Sequence, residues 1–227
     1  MSTLTNNLKH VNTLIQAQKK EHHATQTVTL LAVSKKKPAS AIEEAFNAGQ
    51  TAFGENYLQE ALDKIETLKA LPIEWHFIGS IQSNKTREIS AHFDWAHTVD
   101  RLKIAKRLND QRPSHMPPLN ICIQVNIDNE PSKAGILEQD ILALAKEINA
   151  LPNVSLRGLM AIPKPIDSND NGHAFARMKQ HLTQLHTELP NNNIDTLSMG
   201  MSNDMGLAIQ HGATIVRIGT AIFGERT

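Results

Sequence analysis

LLAVSKKKP, Leu30–Pro38, opens on four apolar residues and ends on three lysines and a proline. Four apolar residues in succession predict a strand buried on both faces, as parallel strands are. Pro38 forbids its continuation because it has no N–H to give to a ladder. The lysines therefore sit where a buried strand emerges. Strand side chains alternate faces, which predicts Lys35 and Lys37 on one side and Lys36 on the other. An amine that faces a closed interior beside other cations has its pKa lowered, the usual route from an inert ammonium to a nucleophile that forms a Schiff base with an aldehyde. Lysines at strand ends are also commonly solvated edge charges, and this segment alone leaves both readings open.

Outward from this strand the same unit repeats. Leu4, Leu8, Val11, Leu14 and Ile15 recur at helical spacing, so an amphipathic helix precedes the first strand. After it, Ser40 and Glu43 have capping-box spacing, Ala41–Ala48 is helix-forming and Gly49 is the stop. Thr51–Phe53 reads as a second strand running into Gly54-Glu55-Asn56, and Tyr57–Leu71 as a helix with Leu58, Leu62, Ile65 and Leu68 on one stripe. Glu74–Ile78 is a third strand, followed by Gly79, the polar turn Gln82–Lys85 and a helix to Phe93. Trp95–Val99 is a fourth, followed by a helix capped by Asp100. Asn120–Asn126 is a fifth, with a loop carrying Lys133 and then the helix Leu137–Leu151. Leu156–Ile162 precedes the polar loop Pro163–Gly172 and the helix His173–Leu189. Thr196–Met199 opens through Gly200-Met201-Ser202 into the helix Asn203–Gln210, and Thr214–Ile218 ends in Gly219-Thr220.

Eight strand–helix alternations in 227 residues, without a break in composition, predict a single-domain α/β fold, a closed (β/α)8 TIM-type barrel. Only seven helices follow a strand, so the N-terminal helix is expected to fill the eighth outer position. The alternative is an open doubly wound sheet. Lys+Arg and Asp+Glu both number 23, which gives neither a basic field for nucleic acid nor an acidic tail. The single cysteine, Cys122, has no intramolecular disulfide partner and is expected to fill the core of a cytoplasmic protein. No apolar run approaches the roughly 18 residues of a membrane span, and a soluble protein without a membrane partner is expected. His22–His23 has no partner cluster and is assigned no metal.

In such a barrel the loops that follow the strands converge at one end. That edge gathers Lys35, Asn56, His76 with Gly79, Ser83-Asn84, Lys133, Met160, Ser202 and Arg217-Ile218-Gly219-Thr220. Gly200-Met201-Ser202 opens a helix whose free N–H groups favour an anion, with the Ser202 hydroxyl as a further donor. Gly219-Thr220 adds a closely approachable backbone and a second hydroxyl. Taken singly, Ser202 is an ordinary N-cap and Gly219 a turn glycine. Together with Lys35 they point to a phosphorylated aldehyde.

The stretches AVSKKKP (32–38), FGENYLQE (53–60), EWHFIGSIQSNK (74–85), RGLMAIP (157–163), SMGMSNDM (198–205) and VRIGTAIFGER (216–226) span nearly the whole chain. In this combination the chain resembles the pyridoxal phosphate homeostasis proteins, which are similar to the barrel domain of alanine racemase. The resemblance implies a monomer-sized barrel holding pyridoxal 5′-phosphate (PLP) as a Schiff base on Lys35, the lysine directly after Ser34. The family usually has a threonine where this chain has Lys36. By position, Ser202, Gly219 and Thr220 look like the phosphate cradle and Arg217 like the residue facing the pyridine nitrogen. Asn56 is expected to be a further cofactor contact, and His76 either touches the ligand or packs beneath the barrel mouth.

Racemases of the related fold take a catalytic tyrosine from a second domain and a partner subunit. This chain has one tyrosine, Tyr57, expected at the start of an outer helix. The resemblance therefore implies a protein that stores, buffers or hands over PLP to apo PLP-dependent enzymes, with Lys133 a candidate second amine for transfer. Two alternatives differ in class. One is a PLP-dependent amino-acid racemase using Lys35 as one base. The other is a barrel enzyme acting on a phosphorylated sugar through a lysine Schiff base, which would be colourless.

Overall fold

Short apolar runs that alternate faces build a barrel with two buried layers. The computed structural model describes residues 2–165, 172–189 and 193–225. Its strands are β1 (Thr29–Val33), β2 (Ala52–Glu55), β3 (Glu74–Phe77), β4 (Trp95–Val99), β5 (Leu119–Val125), β6 (Val154–Ala161), β7 (Thr196–Ser198) and β8 (Ile215–Ile218). They pair in parallel in chain order, and β1 returns to β8 with Thr29 opposite Ile215 and Ala32 opposite Ile218. That last ladder closes the (β/α)8 barrel and excludes the open sheet.

Outside lie α1 (Thr3–Glu21), α2 (Ala39–Asn47), α3 (Leu58–Thr67), α4 (Thr86–His92), α5 (Leu102–Gln111), α6 (Ile141–Asn149), α7 (His173–Glu188), α8 (Met205–Gln210) and the single turn α9 (Thr220–Phe223). Ser2 caps α1 by accepting from the Thr5 N–H, and Leu8, Val11 and Ile15 are its buried stripe. This helix packs on α2, α8 and α9, filling the outer position that the sequence assigned to it.

Outward-pointing strand residues such as Leu30, Phe53, Phe77, Ile121, Leu159 and Val216 join helix residues such as Ile42, Ile89 and Leu108 in one large apolar cluster. Each such side chain contributes roughly 1.5–3 kcal/mol by leaving water. Inward-pointing Leu31, Ala52, Trp95, Cys122, Met160 and Ile215 form a second, smaller cluster inside the barrel. Cys122 is fully buried there, and desolvation pushes its thiol up to about 12, so it packs as an inert apolar side chain.

Several element ends differ from the sequence reading. The N-cap of α2 is Pro38, whose ring fixes φ near the observed −69° and starts the helix before a Ser40–Glu43 box can form. Arg101, not Asp100, caps α5, and Asp100 pairs with the Arg101 guanidinium. A 3-10 turn, Glu138–Asp140, precedes α6. The expected helix Asn203–Gln210 begins only at Met205, because the Asp204 carboxylate accepts the Met201 N–H and holds the intervening residues in a turn. Within the loop Pro163–Gly172, residues 166–171 lie outside the described residues, as do Arg226 and Thr227. Among the described residues no helix is long and apolar enough to cross a membrane.

Candidate functional site

The strand that opens the site stops at Val33, and the lysines form the turn that follows it. Lys36 adopts φ 61°, so the pleat ends before the lysines and side-chain alternation does not govern them. Lys35 and Lys37 nevertheless face the same cavity, because the Lys37 N–H bonds back to Ser34 O at 3.0 Å and folds the turn over the barrel mouth.

Beneath this turn lies a buried polar cluster that the sequence reading missed. Glu55 Oε1 accepts from Ser34 Oγ at 2.6 Å and from Lys64 Nζ at 2.7 Å. Lys64 Nζ also donates to Ser34 O at 2.9 Å and to Glu60 Oε1 at 2.5 Å, and Glu60 Oε1 in turn accepts the Lys36 N–H. Burial raises the Glu55 carboxyl above its ordinary value despite Lys64. The cluster ties both ends of the lysine turn to α3. Its signals in the sequence are a glutamate at the end of an apolar strand and the i,i+4 pair Glu60–Lys64, although a lysine outside the stripe of Leu58, Leu62, Ile65 and Leu68 ordinarily lies in solvent.

Above the turn is a cavity of about 230 Å³. Lys35, Asn56, Ser202, Arg217, Gly219 and Thr220 all line it, as the sequence expected. Its apolar walls are Val33, Ile78, Met160, Ile162, Met201 and Phe223. Arg217 is buried and held by neutral acceptors: Nη1 donates to Ser198 O (2.6 Å) and Ser198 Oγ (3.0 Å), and Nη2 to Ala161 O (2.9 Å). It makes no carboxylate pair among the described residues, and desolvation brings its pKa down to about 10, still a cation at neutral pH.

Two backbone segments leave donors at the mouth. The hydrogen bonds of α9 begin with the Ile222 and Phe223 N–H groups on Gly219 O, so those of Thr220 and Ala221 have no carbonyl acceptor among the described residues. In the turn before α8, Asp204 N–H bonds Met201 O, which leaves the Ser202 and Asn203 N–H groups without a backbone acceptor among the described residues. Ser202 thus contributes from a turn rather than as an N-cap. Asn56 carries a buried Oδ1 with no hydrogen-bond partner among the described residues, and a Cβ on Gly79 would lie 2.0 Å from Asn56 O, so that glycine permits the close approach setting the Asn56 loop.

His76 does not reach this cavity. It points into the barrel one turn of pleat below the mouth, bonded to His97 and Glu74, and it lines a cleft at the opposite end with Thr29, Trp95, Thr196 and Ile215. The packing alternative holds for His76, because its ring is directed into the barrel interior toward His97 and is absent from the lining of the mouth cavity. Ser83-Asn84 is also outside the lining, with Ser83 O accepting from Thr86 and Arg107. Lys133 Nζ pairs with Glu130 at 2.6 Å and donates to Ile162 O at 3.2 Å, beside the cavity wall but not in it. Tyr57, 49% exposed, precedes α3 and does not line the cavity.

Residues 5–227 match the family described as alanine racemase, N-terminal domain. The pyridoxal phosphate homeostasis protein of Haemophilus influenzae is 55% identical over 228 residues, covering 97% of this chain and 96% of that one. The chain belongs to the pyridoxal phosphate homeostasis protein family. Among solved structures of the same scaffold, PipY of Synechococcus elongatus PCC7942 with PLP bound has a TM-score of 0.86 at 37% identity, covering 98% of this chain and 100% of that one. PipY without PLP gives 0.87 at 36% identity. An alanine racemase from Corynebacterium glutamicum gives 0.70 at 15% identity over 98% of this chain and 60% of that one, a likeness of fold alone. Family membership thus agrees with the expectation drawn from the six motifs.

Proposed function

We propose that this chain, as one barrel domain over residues 1–227, binds PLP at the mouth and serves intracellular PLP homeostasis in the cytoplasm. In this reading Lys35 carries the cofactor as a Schiff base, formed with loss of one water. The carrying observation is that one cavity collects the Lys35 amine, the Arg217 guanidinium and the backbone donors of two glycine-containing segments. These groups fit the cofactor: an amine for an aldehyde, unpaired N–H groups and hydroxyls of Ser202 and Thr220 for a phosphate, and the orphaned Asn56 amide for a polar ring substituent. When bound, PLP supplies an electrophilic aldehyde and a ring that accepts electrons.

The chain's own residues bias this chemistry toward holding rather than turnover. Arg217 donates and does not release its proton at neutral pH, so a pyridine nitrogen facing it stays unprotonated and the ring is a weaker electron sink. The titratable residues among the described lining are Lys35, Lys37 and Arg217; no carboxylate, histidine or tyrosine joins them. A racemase needs a second acid/base opposite the lysine, and that composition supports a binding protein; in this reading it acts as a monomer that hands PLP to apo-enzymes. Lys133, at the rim, is the residue proposed to assist transfer.

Visible absorbance before and after borohydride reduction, with peptide mapping, tests the reading. A yellow protein that loses its colour and leaves a pyridoxyl group on Lys35 supports it. A colourless protein that takes no label from added PLP overturns it in favour of the sugar-phosphate alternative. Loss of optical rotation of an amino acid with the loaded protein would move the reading to a racemase. Release of PLP to an apo-acceptor by Lys133→Ala as fast as by the parent would remove Lys133 from the account.

A further inference from the structure

A continuous line of hydrogen bonds runs through the barrel from the mouth to its opposite end. Arg217 Nη1 donates to Ser198 Oγ at 3.0 Å. Ser198 Oγ lies 2.8 Å from His97 Nδ1, His97 Nε2 lies 2.8 Å from His76 Nδ1, and His76 Nε2 lies 2.7 Å from Glu74 Oε1. Ser198 and His97 are wholly buried and His76 nearly so, while the Glu74 side chain is 50% exposed in a cleft of about 340 Å³. Trp95 stacks flat on His76 with ring centroids 5.3 Å apart.

The ends of the line fix its direction. Arg217 is only a donor and the Glu74 carboxylate only an acceptor, so with both rings neutral each histidine accepts on Nδ1, and Ser198, which accepts from Arg217, turns its own proton to His97 Nδ1. His97 then carries its proton on Nε2 and donates to His76 Nδ1. His76 carries its proton on Nε2 and donates to the Glu74 carboxylate. Every donor points away from the mouth, and each buried nitrogen and hydroxyl is satisfied. The charged and titratable groups around the line are Glu74 on β3, Asp94 just before β4, Arg157 on β6 with its partner Asp195, Cys122 on β5, Arg217 on β8 and, acting on Arg217, Asp204 just before α8. Burial and the neighbouring His76 and Arg217 keep His97 uncharged.

We propose that Ser198, His97, His76 and Glu74 form a relay that positions Arg217 and couples the protonation of His76 at the far end of the barrel to the hydrogen bonding of Arg217 at the mouth. One solvent proton added to the line leaves His76 as an imidazolium paired with Glu74, now donating from Nδ1 to His97 Nε2. His97, still neutral, moves its proton to Nδ1 and donates to Ser198 Oγ. Ser198 Oγ then accepts from both His97 and Arg217, and its own hydrogen turns away from His97. The two donors compete for one oxygen, which weakens the bond that holds Nη1. Ser198, His97, His76 and Glu74 are positioning residues, and the last step, to a bound pyridoxal ring, rests on the function proposed above.

The test uses the full chain labelled with 15N-histidine, without cofactor, and the variant Glu74→Gln, whose side chain is too exposed for the substitution to unfold the barrel. NMR at alkaline pH is expected to find both rings protonated on Nε2. As pH falls, His97 is expected to change tautomer at the midpoint where His76 gains its proton, and Glu74→Gln, by removing the carboxylate beside His76, is expected to move both midpoints down together. A His97 that is protonated on Nδ1 at alkaline pH, or keeps its tautomer through the His76 titration, overturns the relay. In the PLP-loaded protein the visible band is expected to shift at the same midpoint and to move with Glu74→Gln. A tautomer change without a band shift overturns the reach to the mouth. Failure to load PLP at all counts against the proposed function, and the cofactor-free NMR result still decides the relay.

Discussion

On the outer face of the strands Phe53, Ile121, Leu159 and Val216 are fully buried against helices; on the inner face His97 and Ser198 are just as buried, with His76 and Arg217 close behind. The outer layer is apolar and its attraction is non-directional, so many packings of similar volume satisfy it. The inner layer mixes six apolar side chains with a polar line in which each group is bonded to fixed neighbours. The contrast teaches that the shell supplies the stability that lets the interior carry buried polar groups, and that the interior supplies a defined orientation at the mouth.

Substitutions in the two layers break this contrast by different amounts. Phe53→Ala in the shell is expected to cost about 4 kcal/mol of unfolding free energy, read by denaturant titration, because the ring leaves a void that its neighbours fill only in part. Lys64→Met, beneath the lysine turn, is expected to cost about 3 kcal/mol by leaving Glu55 buried without its cation. That deficit should shrink as pH falls and Glu55 takes up a proton, which denaturation at two pH values would reveal. Ser198→Ala is expected to cost about 2 kcal/mol, since Arg217 and His97 both lose a buried partner.

The smallest effect sharpens the comparison most. The hydrogen bond and charge of His76 hold the Glu74 carboxyl below its ordinary value of 4.5. A carboxylate lowered in the folded state contributes stability above its unfolded pKa and loses it as pH falls through the folded value. Glu74→Gln is therefore expected to destabilise by less than about 1 kcal/mol at neutral pH, given its exposure, and by nothing in strong acid. Thermal denaturation of both proteins across pH checks the sign. Equal destabilisation at all pH values would mean that Glu74 acts only by packing.

The strands were legible in the sequence because eight short apolar runs, each ended by a glycine, proline or polar turn, have no other stable use in one chain. All of the candidate cofactor contacts except His76 meet in one cavity for the same reason: a closed parallel barrel brings every loop after a strand to one end. For His76 the sequence leaves contact with the ligand and packing beneath the mouth both open, because the strand pattern does not show how deep an inward-facing residue sits; its place inside β3 puts it below the mouth. Lys64 was missed because a lysine on a helix is ordinarily solvated, and only the approach of Glu55, Glu60 and Ser34 O makes its burial tolerable.

By itself the sequence determined the class of fold and the end of the barrel that carries chemistry, since periodicity and turn residues are local properties that survive without knowledge of the partner strand. Only the tertiary structure decided which polar groups meet inside. Ser198 and His97 stand 101 positions apart, and their 2.8 Å contact depends on how the register of eight ladders brings β7 and β4 across the interior. A hydrogen bond tolerates errors of only a few tenths of an ångström, and no pattern along one chain carries that information.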